Sequence, residues 1–433
     1  PWMVNYPVSG SGELLMAAGF LNPISVTSDN ATLSGTFTVQ SGQVNATQST
    51  FAGSATVVLG NADTLETDLV RLNLASGVIA ENSIVASSAA ALTEITGVGI
   101  FGGNSSLTKM GTGVLELNAA HTYSGATTVV SGTLRLKTAN AISSSSTITL
   151  GTMASGSNDA VLTLPAGTSA NQAVLSSPII LGTAPATSRA VMKKIFGQTV
   201  TYQGPLHLNG RNFTVESSGI RFSNSISGNG NLIVNTGDTD TPVIIDSTTN
   251  TFTGNLFVES GLLQSSASTG VRDCIPDQSS VILSPGTVFA VAASDTIASL
   301  TGGAGSIVRS AGSGAILTVG AGNASFTYDG AIENGAAAFT FAKTGSGTVT
   351  LQGNSSHTGT LRILNGTLLL NGSSTARLEI SSGAVFGGTG SIQDASVPTG
   401  GHIPINGSIS PGGTGVGTLT IGNRILMSGA GFH

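Results

Sequence analysis

Residues 107–136 read LTKMGTGVLELNAAHTYSGATTVVSGTLRL, and residues 341–370 read FAKTGSGTVTLQGNSSHTGTLRILNGTLLL. The two stretches align without a gap, and nine of the 30 positions are identical. The identities are Lys109/Lys343, Gly111/Gly345, Gly113/Gly347, Leu117/Leu351, Gly125/Gly359, Gly132/Gly366, Thr133/Thr367, Leu134/Leu368 and Leu136/Leu370. Most are glycines and alternating leucines, the residues that set backbone course and core. Leu115 and Leu117 fall on one face of an extended chain, with Val114 and Glu116 on the other; Leu134 and Leu136 alternate likewise with Arg135 and Lys137. A period of two marks strands with one buried face.

A looser third copy runs from Gly228 to Val234 and resumes from Thr251 to Leu263. Its halves are separated by extra residues that include Asp238, Asp240 and Asp246. Internal repetition at this scale is the sequence sign of a solenoid. Asn-Gly pairs such as Asn365-Gly366 and Asn371-Gly372 also suit hairpins. Direct copies with the same inward positions instead stack in register as parallel ladders, which is the β-helix solution. The expectation is an all-β chain, a right-handed parallel β-helix of roughly 20–25 residues per coil. It is read as one continuous helix over 1–433, with less regular coils at 1–95, a repeat-bearing body at 96–372 and closing coils at 373–433.

Composition agrees. Charged residues make up 8% of the 433 residues and glycine occupies 60 positions, while hydrophobic residues reach 39%. That is apolar enough to bury a core, and too rich in Gly, Ser, Thr, Asn and Val to favour helices. The net charge of −6 offers no basic surface for nucleic acid. Cys274 is the one cysteine, so no intrachain disulfide forms. No apolar run is long enough for a membrane-spanning helix, and aromatics at 5% are too few for the girdles of a membrane barrel.

The quoted stretches resemble the autotransporter-associated β-strand repeat, roughly L-T-K-x-G-x-G-x-L-x-L followed by T-Y-x-G-x-T-x-V-x-x-G-x-L. Residues 107–136 fit closely; in 341–370, His357 stands at the Tyr position and Leu361 at a Thr position. Phe222–Gly228 and Phe326–Ile332 are similar to linking coils of that family, and Phe386–Ile392 and Ile409–Ile421 to coils that close its passengers. The resemblance implies a passenger-type β-helix exported to the extracellular bacterial surface. It is specific for architecture and a poor guide to activity.

Motifs that could carry chemistry are few. Gly97-Val98-Gly99-Ile100-Phe101-Gly102 matches G-x-G-x-x-G, but lacks the βαβ setting and reads as a coil corner. Asp238, Asp240 and Asp246 are weak candidates for calcium through carboxylate oxygen, against the plainer reading of a solvated loop. Asp63, Glu66 and Asp68, near Arg71, read as an exposed charged face. Lys109 and Lys343 read as solvated strand ends, and His121 and His357 as turn residues. Asn209-Gly210-Arg211 is a turn before it is an adhesion tripeptide.

No catalytic, cofactor-binding or metal site is nominated, and no cofactor is expected. The structural repeat residues are Gly111, Gly113, Leu115, Leu117, Gly125, Gly132, Leu134 and Leu136 in the first copy. In the second they are Gly345, Gly347, Leu351, Gly359, Gly366, Leu368 and Leu370. A non-enzymatic surface protein is expected, with a glycan-binding adhesin and a β-helical polysaccharide lyase or hydrolase as alternatives. The chain opens at Pro1-Trp2 and its closing pattern stops within Met427–His433, so coils there would be covered by a longer chain or a second copy. Head-to-tail or lateral self-association into a fibre or coat is expected on that ground.

Overall fold

The structure is a computed structural model that describes residues 2–17, 23–27, 33–47, 54–75, 79–80, 82–87, 89–152, 158–183, 188–266, 273–394, 397, 401–413, 415–427 and 431–432. Parts of the N-terminal coils and residues 428–430 and 433 of the closing pattern lie outside the described residues. The described residues hold strands and turns and no helix. Their strands stack in parallel as coils, about 17 turns in all. An isolated bridge between Gly167 and Gln198 is antiparallel. The coils fall into two compact units, Pro1–Thr214 and Val215–His433.

In the first unit one sheet stacks Thr36–Ala46, Leu69–Leu74, Leu92–Gly97, Val114–Leu117, Gly132–Leu136, Ala160–Leu164 and Ala190–Lys194. A second runs through Thr56–Leu59, Ile84–Ala86, Leu107–Lys109, Thr127–Val129, Ile148–Leu150 and Ile179–Leu181. Thr36–Ala46, at 11 residues, turns the corner and serves both sheets. The second unit repeats the scheme with a fuller third side: Leu262–Ser265, Val288–Val291, Ile307–Ser310 and Ala331–Glu333 stack on one another.

Ladders of like side chains fill the interior. Leu115 sits on Leu134, Leu134 on Leu162, and Leu162 on Met192, all fully buried. In the second unit Val349, Leu368, Phe386 and Ile409 stack the same way. Each buried Leu or Ile removes apolar area worth about 2 kcal/mol from water, and a parallel stack repeats that gain per coil. Val129, Leu136, Leu351, Ile363 and Leu370 are buried as their alternation predicts. Coil length varies more than expected: the register advances 18 residues from Leu368 to Phe386 and 30 from Leu162 to Met192. Loops at the corners absorb the difference while inward positions stay aligned.

The third copy is interrupted for a topological reason. Its extra residues are not simply a loop, because Val243–Ile245 pairs with Leu263–Ser265 as a rung of the third side. The coil gains a strand and keeps the stacking of Leu232 on Leu256.

Candidate functional site: the lysine turns and polar rungs of the repeats

Lys109 and Lys343 are buried, contrary to the reading of solvated strand ends. Lys109 closes the strand Leu107–Lys109, whose inward residues are Leu107 and Lys109 themselves. The chain then turns the corner through Gly111, at φ 76°. The ammonium lies inside that turn and donates to three carbonyls: Met110 at 2.7 Å, Gly111 at 2.9 Å and, from the next coil, Ser131 at 3.3 Å. Lys343 does the same with Thr344 at 2.6 Å, Gly345 at 2.8 Å and Asn365 at 3.1 Å. Three N–H donors meet three carbonyl oxygens at the corner.

Gly132 and Gly366 make room for this. Both have positive φ, and a Cβ at Gly132 would stand 2.3 Å from the Gly111 oxygen and 2.7 Å from Lys109 Nζ. At Gly366 the distances are 2.4 Å to the Gly345 oxygen and 2.9 Å to Lys343 Nζ. Four of the nine identities, Lys109/Lys343, Gly111/Gly345, Gly113/Gly347 and Gly132/Gly366, are thus one interlocked turn. Burial pushes the Lys109 ammonium down to about 8 and lowers Lys343 also.

The second recurrent feature is an aromatic-x-Gly corner. Tyr123, Tyr202 and Tyr328 are buried, and each is followed two residues later by Gly125, Gly204 or Gly330. Tyr123 Oη is 2.8 Å from Thr127 Oγ1, which is 2.9 Å from Ser146 Oγ. Tyr202 Oη donates to the Ser177 or Pro205 carbonyl, each at 2.9 Å. Burial raises both hydroxyls above their ordinary range. In the second copy His357 occupies the Tyr123 position, Leu361 that of Thr127, and Ala376 packs where the register places Ser146.

His357 is accordingly a core side chain, not a turn residue: it is 0% exposed, its ring stands 6.4 Å from that of Phe339, and neither ring nitrogen has a partner. His121 is buried two positions earlier in the repeat, where its Nδ1 accepts the Phe101 N–H at 3.1 Å and Nε2 has no partner. Burial pushes both imidazoles down to about 4.

Charges form rungs on the outer faces. Gln43, Arg71, Glu94, Glu116 and Arg135 occupy successive positions of one ladder. Arg71 pairs with Glu94, not with the Asp63, Glu66 and Asp68 group beside it in sequence. Arg135 donates to Glu116 at 2.6 Å, and Arg362 to Glu379 at 2.9 Å. Beside this ladder Ser25, Asn45, Asn73 and Thr96 hydrogen-bond from coil to coil. Pairing charges across coils spends them on register.

The three calcium candidates do not converge. Asp246 is buried and paired with Arg221. Asp238 Oδ1 accepts the Asp240 and Thr241 N–H groups at 2.8 and 3.1 Å, and its Oδ2 accepts Ser218 Oγ at 2.7 Å. Those bonds, the Asp240 N–H first, hold its carboxyl at about 2. Asp240 is exposed. Among the described residues no group of three or more His, Cys, Asp or Glu side chains gathers for a metal.

Asp295 was not singled out in the sequence. It points inward from Ser294–Ile297, one rung before Leu317, and accepts the Ile275 N–H at 3.2 Å. Burial, reinforced by Asp273, raises its carboxyl. The G-x-G-x-x-G stretch is a corner: Gly97 has φ 90° and Val98 is exposed. Asn209-Gly210 is a turn, both residues having positive φ. Two shallow clefts, about 370 and 460 Å³, meet at Arg377 and Pro404, and the larger is lined also by Arg362, Leu364 and Glu379.

The lysine turns and their glycines lie within residues 107–136 and 341–370. Residues 107–136 and 341–370 match the passenger-associated-transport-repeat family. No curated protein and no solved structure matches the chain. Two such repeats on a parallel β-solenoid are consistent with an autotransporter passenger β-helix. Within each repeat the matched Lys, Gly and Leu positions are those that close the turn and fill the core.

Proposed function

We propose that this protein is a non-enzymatic extracellular scaffold of the passenger type, displayed at the bacterial cell surface. The observation that carries the reading is the lysine turn. The recurrent residue with the most chemical potential, Lys109 or Lys343, has all three donors spent on backbone carbonyls. Apart from Thr133/Thr367, the other recurrent residues are glycines at corners and leucines in the core, so the repeat encodes architecture. Antibodies against the purified protein, applied to intact producing cells, test the location; labelling only after lysis refutes it. Polygalacturonate, alginate and peptidoglycan are expected to remain intact with the protein present, and turnover of any of them refutes the scaffold reading.

Self-association into a fibre or coat is the finer form of the proposal. Outward positions Ile233, Phe257 and Ile282 share one ladder of the second unit and carry no charge, a surface suited to lateral packing. Sedimentation at micromolar concentration is expected to show assemblies that Phe257→Lys disperses; monomers of the unchanged protein refute it. A glycan-binding reading is favoured by the cleft at Arg362, Arg377, Glu379 and Pro404, where paired charges flank apolar surface. Glycan-array binding lost in Arg377→Ala would establish it, and an array without binding would dismiss it.

A further inference from the structure

The residue before the last glycine of the lysine turn is Ser131 in the first copy and Asn365 in the second. In the first copy the Gly132 N–H is held by the next coil, donating to the Asp159 carbonyl at 2.8 Å. In the second the Gly366 N–H is turned onto the side chain before it, donating to Asn365 Oδ1 at 2.7 Å. The Asn365 main-chain carbonyl accepts from the Lys343 ammonium at 3.1 Å. Asn365 is exposed, so water and ammonia can pass. Gly366 carries no side chain to shield its nitrogen.

We propose that Asn365-Gly366 is a built-in site of spontaneous succinimide formation and deamidation. The Gly366 main-chain nitrogen gives its proton to solvent and attacks Asn365 Cγ. The charge left on the Asn365–Gly366 peptide group before attack is spread onto the main-chain oxygen that faces the Lys343 ammonium. A bond forms between the Gly366 nitrogen and Cγ, the Cγ–Nδ2 bond breaks, and Nδ2 takes up a proton and leaves as ammonia. Water then opens the five-membered ring. Attack at Cγ leaves an ordinary aspartate, and attack at the main-chain carbonyl leaves an isoaspartyl link. Either product places a new carboxylate beside the Lys343 turn and needs no reagent but water.

The same chain supplies the controls. Asn371-Gly372 has the same sequence, but Asn371 Oδ1 is held by the Thr389 N–H at 3.1 Å and the Gly372 N–H by the Leu351 carbonyl at 3.3 Å. Asn334-Gly335 is held too, its glycine N–H donating to Ser310 Oγ at 3.0 Å. Tryptic peptide Ile363–Arg377 carries both Asn365 and Asn371, so one fragment spectrum compares them.

The experiment incubates the full folded protein at pH 8 and 37 °C, and in parallel the protein unfolded in urea, with fragment mass spectrometry over days. In the folded protein Asn365 is expected to gain one dalton at least about tenfold faster than Asn371, a difference of about 1.4 kcal/mol in barrier. A transient species lighter by one ammonia is expected at Asn365. In urea the two positions are expected to react at comparable rates. Asn365→Ser, the residue of the first copy, is expected to remove the fast component. Equal rates in the folded protein, a faster Asn371, or a fast component that survives Asn365→Ser would each overturn the proposal.

Discussion

Replacing His357 by Phe is expected to stabilise the second unit, and the same change at His121 to destabilise the first. The His357 ring is fully buried with two unpartnered nitrogens, beside the ring of Phe339. A buried polar group left unpaired costs about 1–3 kcal/mol, so an apolar ring in an apolar slot is expected to gain about 1–2 kcal/mol at pH 7 after some loss to its larger size. Phe252, two residues before Gly254, already fills such a corner. At His121 the nitrogen accepts the Phe101 N–H, and Phe would orphan that donor at a cost of about 1–2 kcal/mol.

The pH dependence sharpens the comparison. Both imidazoles are pushed from 6.5 to about 4 by burial, so the unfolded chain binds their protons first. Stability from each is complete above pH 6.5 and is lost as pH falls through 4, by about 3 kcal/mol per histidine. His357→Phe is expected to abolish that loss in the second unit alone. Hydrogen exchange of peptides covering Thr348–Leu370, in urea at pH 7.5 and pH 5, reads both effects without assuming that the solenoid unfolds as one body. A variant less stable than the unchanged protein at pH 7.5, or one with unchanged acid sensitivity, would refute the reasoning.

Lys109→Met keeps the buried stem and removes three donors from the carbonyls of Met110, Gly111 and Ser131, so a loss of about 2–4 kcal/mol is expected by urea unfolding of the first unit. Because burial lowers Lys109 to about 8, the unfolded state binds the proton more tightly; unchanged protein is expected to gain stability from pH 8 toward 10.5, and Lys109→Met to gain less. Gly132→Ala meets the Gly111 oxygen at 2.3 Å in a left-handed conformation and is expected to cost more than about 2 kcal/mol, read by the same unfolding. Asp246→Asn leaves the Arg221 guanidinium without its carboxylate and is expected to cost about 3 kcal/mol, with added calcium changing the melting temperature of neither form.

The sequence by itself determined the strands, their inward faces and their parallel stacking. Alternation of Leu115 with Glu116 or Leu134 with Arg135 is a local property, and direct copies bring like faces into register. Parity even held the buried lysine: counting by twos from Leu107 puts Lys109 inside. What parity could not give was a reason for a lysine there, since an ammonium is tolerated in a core only with its partners in place. The third of those partners, Ser131 or Asn365, arrives one coil later, and the glycine that admits it follows immediately. The same holds for Arg71, whose carboxylate is Glu94 on the next coil and not an aspartate nearby in sequence. His357 likewise becomes an orphan only when the fold buries it beside Phe339. Alternation is written residue by residue, whereas satisfaction of a buried polar group is decided between coils, at distances in sequence that only the tertiary structure closes.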